Sequence, residues 1–358
     1  MAKGWTGATR SFWWLLPPAA ALCYPHAVAA LYESGRLLDR LTGRREAVAW
    51  LAILASAALV YGVPAVGFAV VCKLGRHHGP SSSDLLGRRI AHVTVASPAL
   101  FVLLGVVLDL LHIGNSESVL WSIGWVTLFA AAASTLRGHT AEAAASIAPG
   151  RLSLRIAHGT SALLIVGVFL AWHLLNHTTA AFNPEFNQVM MRTLRKWYRS
   201  ETVQPVLLTL MLFQVGSGVI LLRRATAMPG DLIRTLQTST GAFLTAFIVS
   251  HLNAVFILGR LVTKVDTTFL WASGAPVGLL RDAWSVRLIP HYSLGVWFVI
   301  LHMGIGLRGA LLAHGTSATT ANRVALAVGI FGAALAITIT IAQLSVHGAE
   351  GQHGYAVH

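Results

Sequence analysis

Sixteen histidines carry the chemistry in this chain, and several fall inside long apolar runs, where a polar ring is costly unless it meets a partner or a ligand. His173 lies near the end of one such run and His251 in the second half of another, with a single run between them. If each run crosses a membrane, these two helices point the same way and their late histidines share a depth. Gln214 and His302 lie near the middles of two runs that point the opposite way, so they also share a rough depth. Two imidazoles at equal depth on neighbouring helices are what a haem clamped inside a helical bundle asks of its protein. For a lone intramembrane histidine, a structural hydrogen bond is the plainer role. Gly159, Gly167, Gly218, Gly241 and Gly306 allow close helix packing or leave room for a flat macrocycle.

Other chemistries find little material. Two cysteines, Cys23 and Cys72, build neither a disulfide framework nor a thiolate cage, and no Cys-x-x-Cys-His stretch exists to attach a haem covalently. No catalytic carboxylate pair, nucleophile constellation or phosphate-binding loop appears. The net charge of +13 comes from basic residues placed between apolar runs, which reads as membrane topology and not as nucleic-acid binding.

The elements that must position the histidines follow from hydropathy. Of 358 residues, 55% are hydrophobic and only 11% charged, where soluble domains carry roughly 25% charged residues. A bilayer core about 30 Å thick needs roughly 20 apolar residues per helix. That length predicts an all-α, polytopic membrane bundle of about nine helices, over 12–31, 47–71, 90–111, 119–134, 156–175, 203–222, 241–261, 289–312 and 324–344. Lys and Arg outside these runs divide almost equally between the two sides, Lys3, Arg10, Arg76 and Arg151 on one and Arg36, Arg195, Arg260 and Lys264 on the other among them, so charge leaves the orientation open. Between the fifth and sixth runs, Phe186, Val189, Met190, Leu194 and Trp197 recur at helical spacing, which predicts an amphipathic helix at the interface. The loop 265–288 carries Asp266, Trp271 and Trp284, suited to a pocket cap, a docking surface or a plain linker. Arg89-Ile90-Ala91-His92 and Arg155-Ile156-Ala157-His158 each open a run, a weak sign of duplication. Asp109 and His112, three apart, suit interfacial snorkelling, an ion pair or a proton path.

Three stretches carry a likeness. Gly167-Val168-Phe169-Leu170-Ala171-Trp172-His173-Leu174 is an aliphatic run with Phe ending in His-Leu. Gln237, Thr240 and Gly241 open a helix that reaches His251 fourteen residues after the Gln, and His302 is followed by Gly306 and Leu307. From 150 to about 345 the chain resembles the dihaem cytochrome b membrane anchors of succinate dehydrogenases and fumarate reductases. The resemblance implies axial ligation of haem b by His173 and His251, with His302 a ligand of a second haem. Where that family has its other ligand His, this chain has Gln214 followed by Gly218, which implies one haem and leaves the second open. His158 and His177 take interfacial or propionate contacts in this reading. It further implies a non-catalytic electron-transfer subunit that works with iron-sulfur and FAD-containing soluble subunits and with quinone as substrate. Membrane lipid surrounds it in a bacterial cytoplasmic (inner) membrane, with the N-terminus cytoplasmic. Arg155, Ser161, Arg260 and Asp266 are polar groups available to a quinone. The domains are then 1–150, a four-helix module of unknown role, 151–345, the cytochrome b-like part, and 346–358, a polar tail. Two other readings stand beside it: a haem-free transporter or structural protein on the same scaffold, which Gln214 favours, and a standalone quinol-oxidising cytochrome.

Overall fold

A computed structural model of the protein describes residues 7–76, 82–114, 116–137 and 152–346, and every regular element among them is helical. Lys3, Arg151 and the tail beyond Val346 lie outside the described residues. The helices are α1 (Gly7–Leu22), α2 (Tyr24–Arg40), α3 (Glu46–Leu74), α4 (Ser82–Val95), α5 (Ser97–Leu110) and α6 (Glu117–Arg137). They continue with α7 (Leu152–Thr179), α8 (Pro184–Tyr198), α9 (Val203–Ala225), α10 (Leu232–Val262), α11 (Leu288–Ala313) and α12 (Ala318–Leu344). The interfacial helix expected after the fifth run is α8, capped at its start by Asn183, whose side-chain oxygen accepts from the Phe186 amide at 2.9 Å.

Among the described residues, six helices are long and apolar enough to cross a membrane: the one ending at Leu74, and α7, α9, α10, α11 and α12. The pairs α1–α2 and α4–α5 pass only as broken spans, bent by 43° and 68°, which brings the number to at most eight. The fourth expected span, 119–134, falls on α6, whose apolar stretch Glu117–Ala131 is shorter. Large apolar side chains such as Leu54, Leu163, Leu212, Ile330 and Phe331 are exposed along these helices. Lipid is the solvent that such surfaces fit, and the long apolar helices mark an integral membrane protein.

Proline explains the breaks. Pro25 is the second residue of α2, so the Ala21 carbonyl, which an unbroken helix would pair with the amide of residue 25, finds no N–H there. The buried Trp121 indole of α6 donates to that carbonyl instead, at 2.7 Å. Tyr24 and Phe101 close around the same indole, with ring centres 6.0 and 5.3 Å from it. Pro98, at the start of α5, removes the corresponding donor at the second break.

The chain divides into two compact units, Met1–Ala148 with Leu222–Ala246, and Pro149–Leu221 with Phe247–His358. In the first, α3 packs between α2 and α4. Gly67 permits the close approach of α3 to α4, since a Cβ there would lie 2.8 Å from the Ala91 carbonyl oxygen. Arg88, 3% exposed, donates to the carbonyls of Gly75 at 2.7 Å, Thr226 at 3.0 Å and Met228 at 3.3 Å. A buried guanidinium thus closes two helix C-termini, where carbonyls lack intrahelical partners. In the second unit, α11 and α12 form a long antiparallel pair, tied by the Trp297 indole to the Gly329 carbonyl at 3.2 Å and by Arg308 to Asn322 at 2.6 Å.

The Trp121 bond yields a stability prediction. Trp121→Phe keeps most of the ring but strands the Ala21 carbonyl, so the detergent-purified variant should lose about 1–3 kcal/mol. A thermal unfolding midpoint equal to that of the wild type would mean the carbonyl finds another donor.

Candidate functional site

The second unit gathers four histidines. On α7, Phe169, His173 and His177 follow one another at i, i+4 and i+8, which sets them on one helix face. A π-helical turn, Val166–Leu170, contains the first member of this stripe, Phe169. It widens the helix there, and the indoles of Trp172 and Trp197 donate to the carbonyls of Gly167 at 3.1 Å and Val168 at 3.3 Å. On α10, Phe247 and His251 are again four apart, and a second π-helical stretch, Asn253–Val262, begins two residues later. Such widened turns recur at functional sites because they re-aim side chains against the regular helical register.

His173 and His251 face each other from these two helices, with ring centres 6.3 Å apart and planes inclined at 68°. Each is backed by a phenylalanine one turn earlier: Phe169 stacks on His173 at 4.8 Å and Phe247 on His251 at 5.6 Å. Tyr198 of α8 meets Phe169 edge-on at 5.2 Å. His177 lies 4.6 Å from His173, with Phe269 at 5.7 Å on another side.

The start of α11 completes the cluster with two residues that sequence reasoning passed over. His291, 1% exposed, lies 4.6 Å from Phe247, and Tyr292 lies 6.2 Å from His251 and 5.2 Å from His291. Gly295, one turn on, makes this approach possible, because a Cβ there would run into the Phe247 ring. The signal was available: consecutive spans run in opposite directions, so a histidine late in one span and a histidine early in the next share a depth. The Nδ1 atoms of His177 and His291 and the Ser250 hydroxyl are buried without a hydrogen-bond partner among the described residues. Buried polar atoms are ordinarily satisfied, and three unsatisfied ones thus lie on the helices of this cluster.

Gln214 is placed elsewhere. Its amide nitrogen donates to the His158 carbonyl at 2.7 Å and to the Ser161 hydroxyl at 2.6 Å, tying α9 to α7. The His158 ring nitrogen Nδ1 lies 2.7 Å from the Ser217 hydroxyl, which itself donates to the Phe213 carbonyl at 2.5 Å. His158 precedes His173 by fifteen residues, about 22 Å along a helix. His302, half-buried, follows His291 by eleven residues, about 16 Å along α11. The structure therefore brings together His173, His177 and His251, adds His291 and Tyr292, and holds Gln214 and His158 in a separate polar network. The four groups offered to a quinone do not form one site. Ser161 belongs to the Gln214 network and Arg155 opens α7, whereas Arg260 hydrogen-bonds Gln204 and Asp266 pairs with Arg195.

Among the described residues, no three His, Cys, Asp or Glu side chains are arranged to hold a metal ion. What the cluster offers is two imidazoles 6.3 Å apart on neighbouring helices, with phenylalanine and tyrosine rings around them. Fold and site together define a polytopic helical membrane protein with an intramembrane histidine cluster. No protein-family model matches the chain, and no curated protein or solved structure matches it.

The polar network carries its own prediction. Gln214→Leu removes two helix-to-helix hydrogen bonds and leaves the Ser161 hydroxyl without its donor, which should cost about 1–3 kcal/mol. The same change in a Ser161→Ala background should cost clearly less, and equal losses in both backgrounds would show that the bond between the two side chains contributes nothing.

Proposed function

We propose that this chain is a membrane cytochrome b subunit of the succinate dehydrogenase and fumarate reductase kind, holding one haem b between His173 and His251. The observation that carries the reading is the 6.3 Å between the two ring centres. Imidazoles so spaced on neighbouring helices would hold a haem between them, and His173 and His251 are the residues that would bind it. The unpartnered Nδ1 atoms of His177 and His291 add polar atoms beside the pair, as a group with hydrogen-bonding substituents requires.

Bound there, a haem b supplies one-electron transfer, which the protein tunes through ligand basicity and burial. The residues of the chain do the rest. Phe169 and Phe247 fix the planes of the two imidazoles by stacking. The π-helical turns aim the rings off the regular helix register, and the surrounding phenylalanines, Tyr198 and Tyr292 exclude water. Gln214, already engaged with His158 and Ser161, supports a single haem and not a pair. In this reading the electron donors and acceptors are iron-sulfur and FAD-containing soluble subunits on one side and a membrane quinone on the other. The membrane is the bacterial cytoplasmic one, with the N-terminus in the cytoplasm.

The test is a reduced-minus-oxidised absorption spectrum of the detergent-purified protein, with haem per chain from the pyridine haemochrome. About one low-spin haem b per chain is expected, and His173→Ala and His251→Ala should each abolish the low-spin spectrum. A full bis-imidazole spectrum in either variant would overturn the ligand assignment. Haem-free wild-type protein, expressed with ample haem supply, would overturn the cytochrome reading and favour a transporter or scaffold.

A further inference from the structure

Three arginines converge where α8 and α10 finish and α9 begins. Arg195 donates to Asp266 Oδ1 at 2.5 Å and to the Thr267 carbonyl at 2.8 Å, and Arg199 donates to the Thr267 hydroxyl at 3.2 Å. Arg260 donates to Gln204 Oε1 at 2.9 Å and lies over the Phe256 ring at 4.9 Å. Asp266 carries the one carboxylate paired here among the described residues, and it is largely exposed. The hydrogen bonds of Arg199 and Arg260 go to neutral oxygens, and Asp266 is the carboxylate close enough to act on Arg199. Burial first, then the neighbouring charges of Arg195 and Arg260, push the Arg199 guanidinium down from its usual value, while Tyr198 and Asp266 act the other way.

The place of this cluster in the fold narrows what could match it. Arg199 precedes the start of α9 by four residues, and Arg260 lies two residues before the end of α10. Between the two spans α7 and α9 runs α8, whose Phe186, Val189 and Trp197 are exposed while Arg192, Arg195 and Lys196 line up beside them. An apolar exposed face with a basic flank is the pattern of a helix lying in the membrane interface. At that depth the abundant anions are lipid headgroups, and guanidiniums match phosphate with charge-assisted, often paired hydrogen bonds.

We infer that Arg199 and Arg260, together with Arg195 anchored on Asp266, bind the phosphate of an anionic phospholipid headgroup. The inference does not rest on the haem. It is tested on the full chain in nanodiscs holding phosphatidylglycerol and phosphatidylcholine, with the lipid retained after detergent extraction counted by native mass spectrometry. The wild type should retain phosphatidylglycerol preferentially, and Arg199→Gln with Arg260→Gln should lower that preference about tenfold. Arg199→Lys with Arg260→Lys, which keeps the charge, should retain most of it and guards against a folding defect. Arg44→Gln with Arg45→Gln, at an exposed turn, should change nothing. An unchanged preference in the double glutamine variant overturns the proposal. So does full displacement of the lipid by an equal concentration of inorganic phosphate, which would mark a free-anion site. Loss of haem with intact lipid preference overturns it as well, since the arginines would then serve the haem carboxylates.

Discussion

Lipid offers a polypeptide no hydrogen bonds, and that one constraint organises this molecule. Places where a helix departs from regularity leave backbone groups that water would otherwise satisfy, and at several of them a side chain takes the group. Pro25 frees the Ala21 carbonyl and Trp121 takes it. The widened turn in α7 is met by Trp172 and Trp197. Arg88 is the extreme case, a buried cation placed on the carbonyls that end two helices, where the partial negative charge of the helix termini compensates it. The tryptophans and arginines that look like membrane anchors in the sequence are, at these positions, internal hydrogen-bond donors.

The same constraint gives the histidine cluster its meaning. A neutral imidazole always presents one donor and one acceptor nitrogen, and four rings packed among phenylalanines and tyrosines cannot all find complements in one another. Phe169 and Phe247 stack on His173 and His251, a contact made by ring faces and not by ring nitrogens, and the Nδ1 atoms of His177 and His291 have no hydrogen-bond partner among the described residues. A purely structural histidine shows the opposite arrangement. His158 is such a case, its Nδ1 against Ser217 and its backbone carbonyl serving Gln214.

Much of this was legible in the sequence, for physical reasons that can be named. Apolar run length locates the spans because the bilayer fixes how long a helix must be, and seven of the nine expected runs coincide with long helices or shorter apolar ones that the structure contains unbroken. The breaks at Cys23 and Ala96 were less visible: proline marks a place where a helix can bend, and only packing decides whether it does, as Pro64 inside the unbroken α3 shows. The matched depth of His173 and His251 was readable from helix direction alone. His291 obeys the same rule but sits at the very start of its span, where an interfacial histidine is unremarkable. The engagement of Gln214 with the backbone of α7 depends on helix rotation, which one sequence does not encode locally. The π-helical turns have no sequence signature of their own, since they arise where insertion of one residue is tolerated by the neighbours.

The division of α10 between the two units has a bearing on how such a protein can change over time. Its first fifteen residues, Leu232–Ala246, pack with the N-terminal helices, and its remainder, beginning at Phe247, carries the imidazole that the cluster uses. One rod of backbone hydrogen bonds thus joins a module of unassigned role to the histidine site. A gene rearrangement that dropped the first 150 residues would not release an independent C-terminal domain, because it would leave the Ser239, Thr240 and Phe243 face of α10, now fully buried, stripped of its cover. A chain without the first module would need a different, lipid- or water-compatible surface on this part of α10.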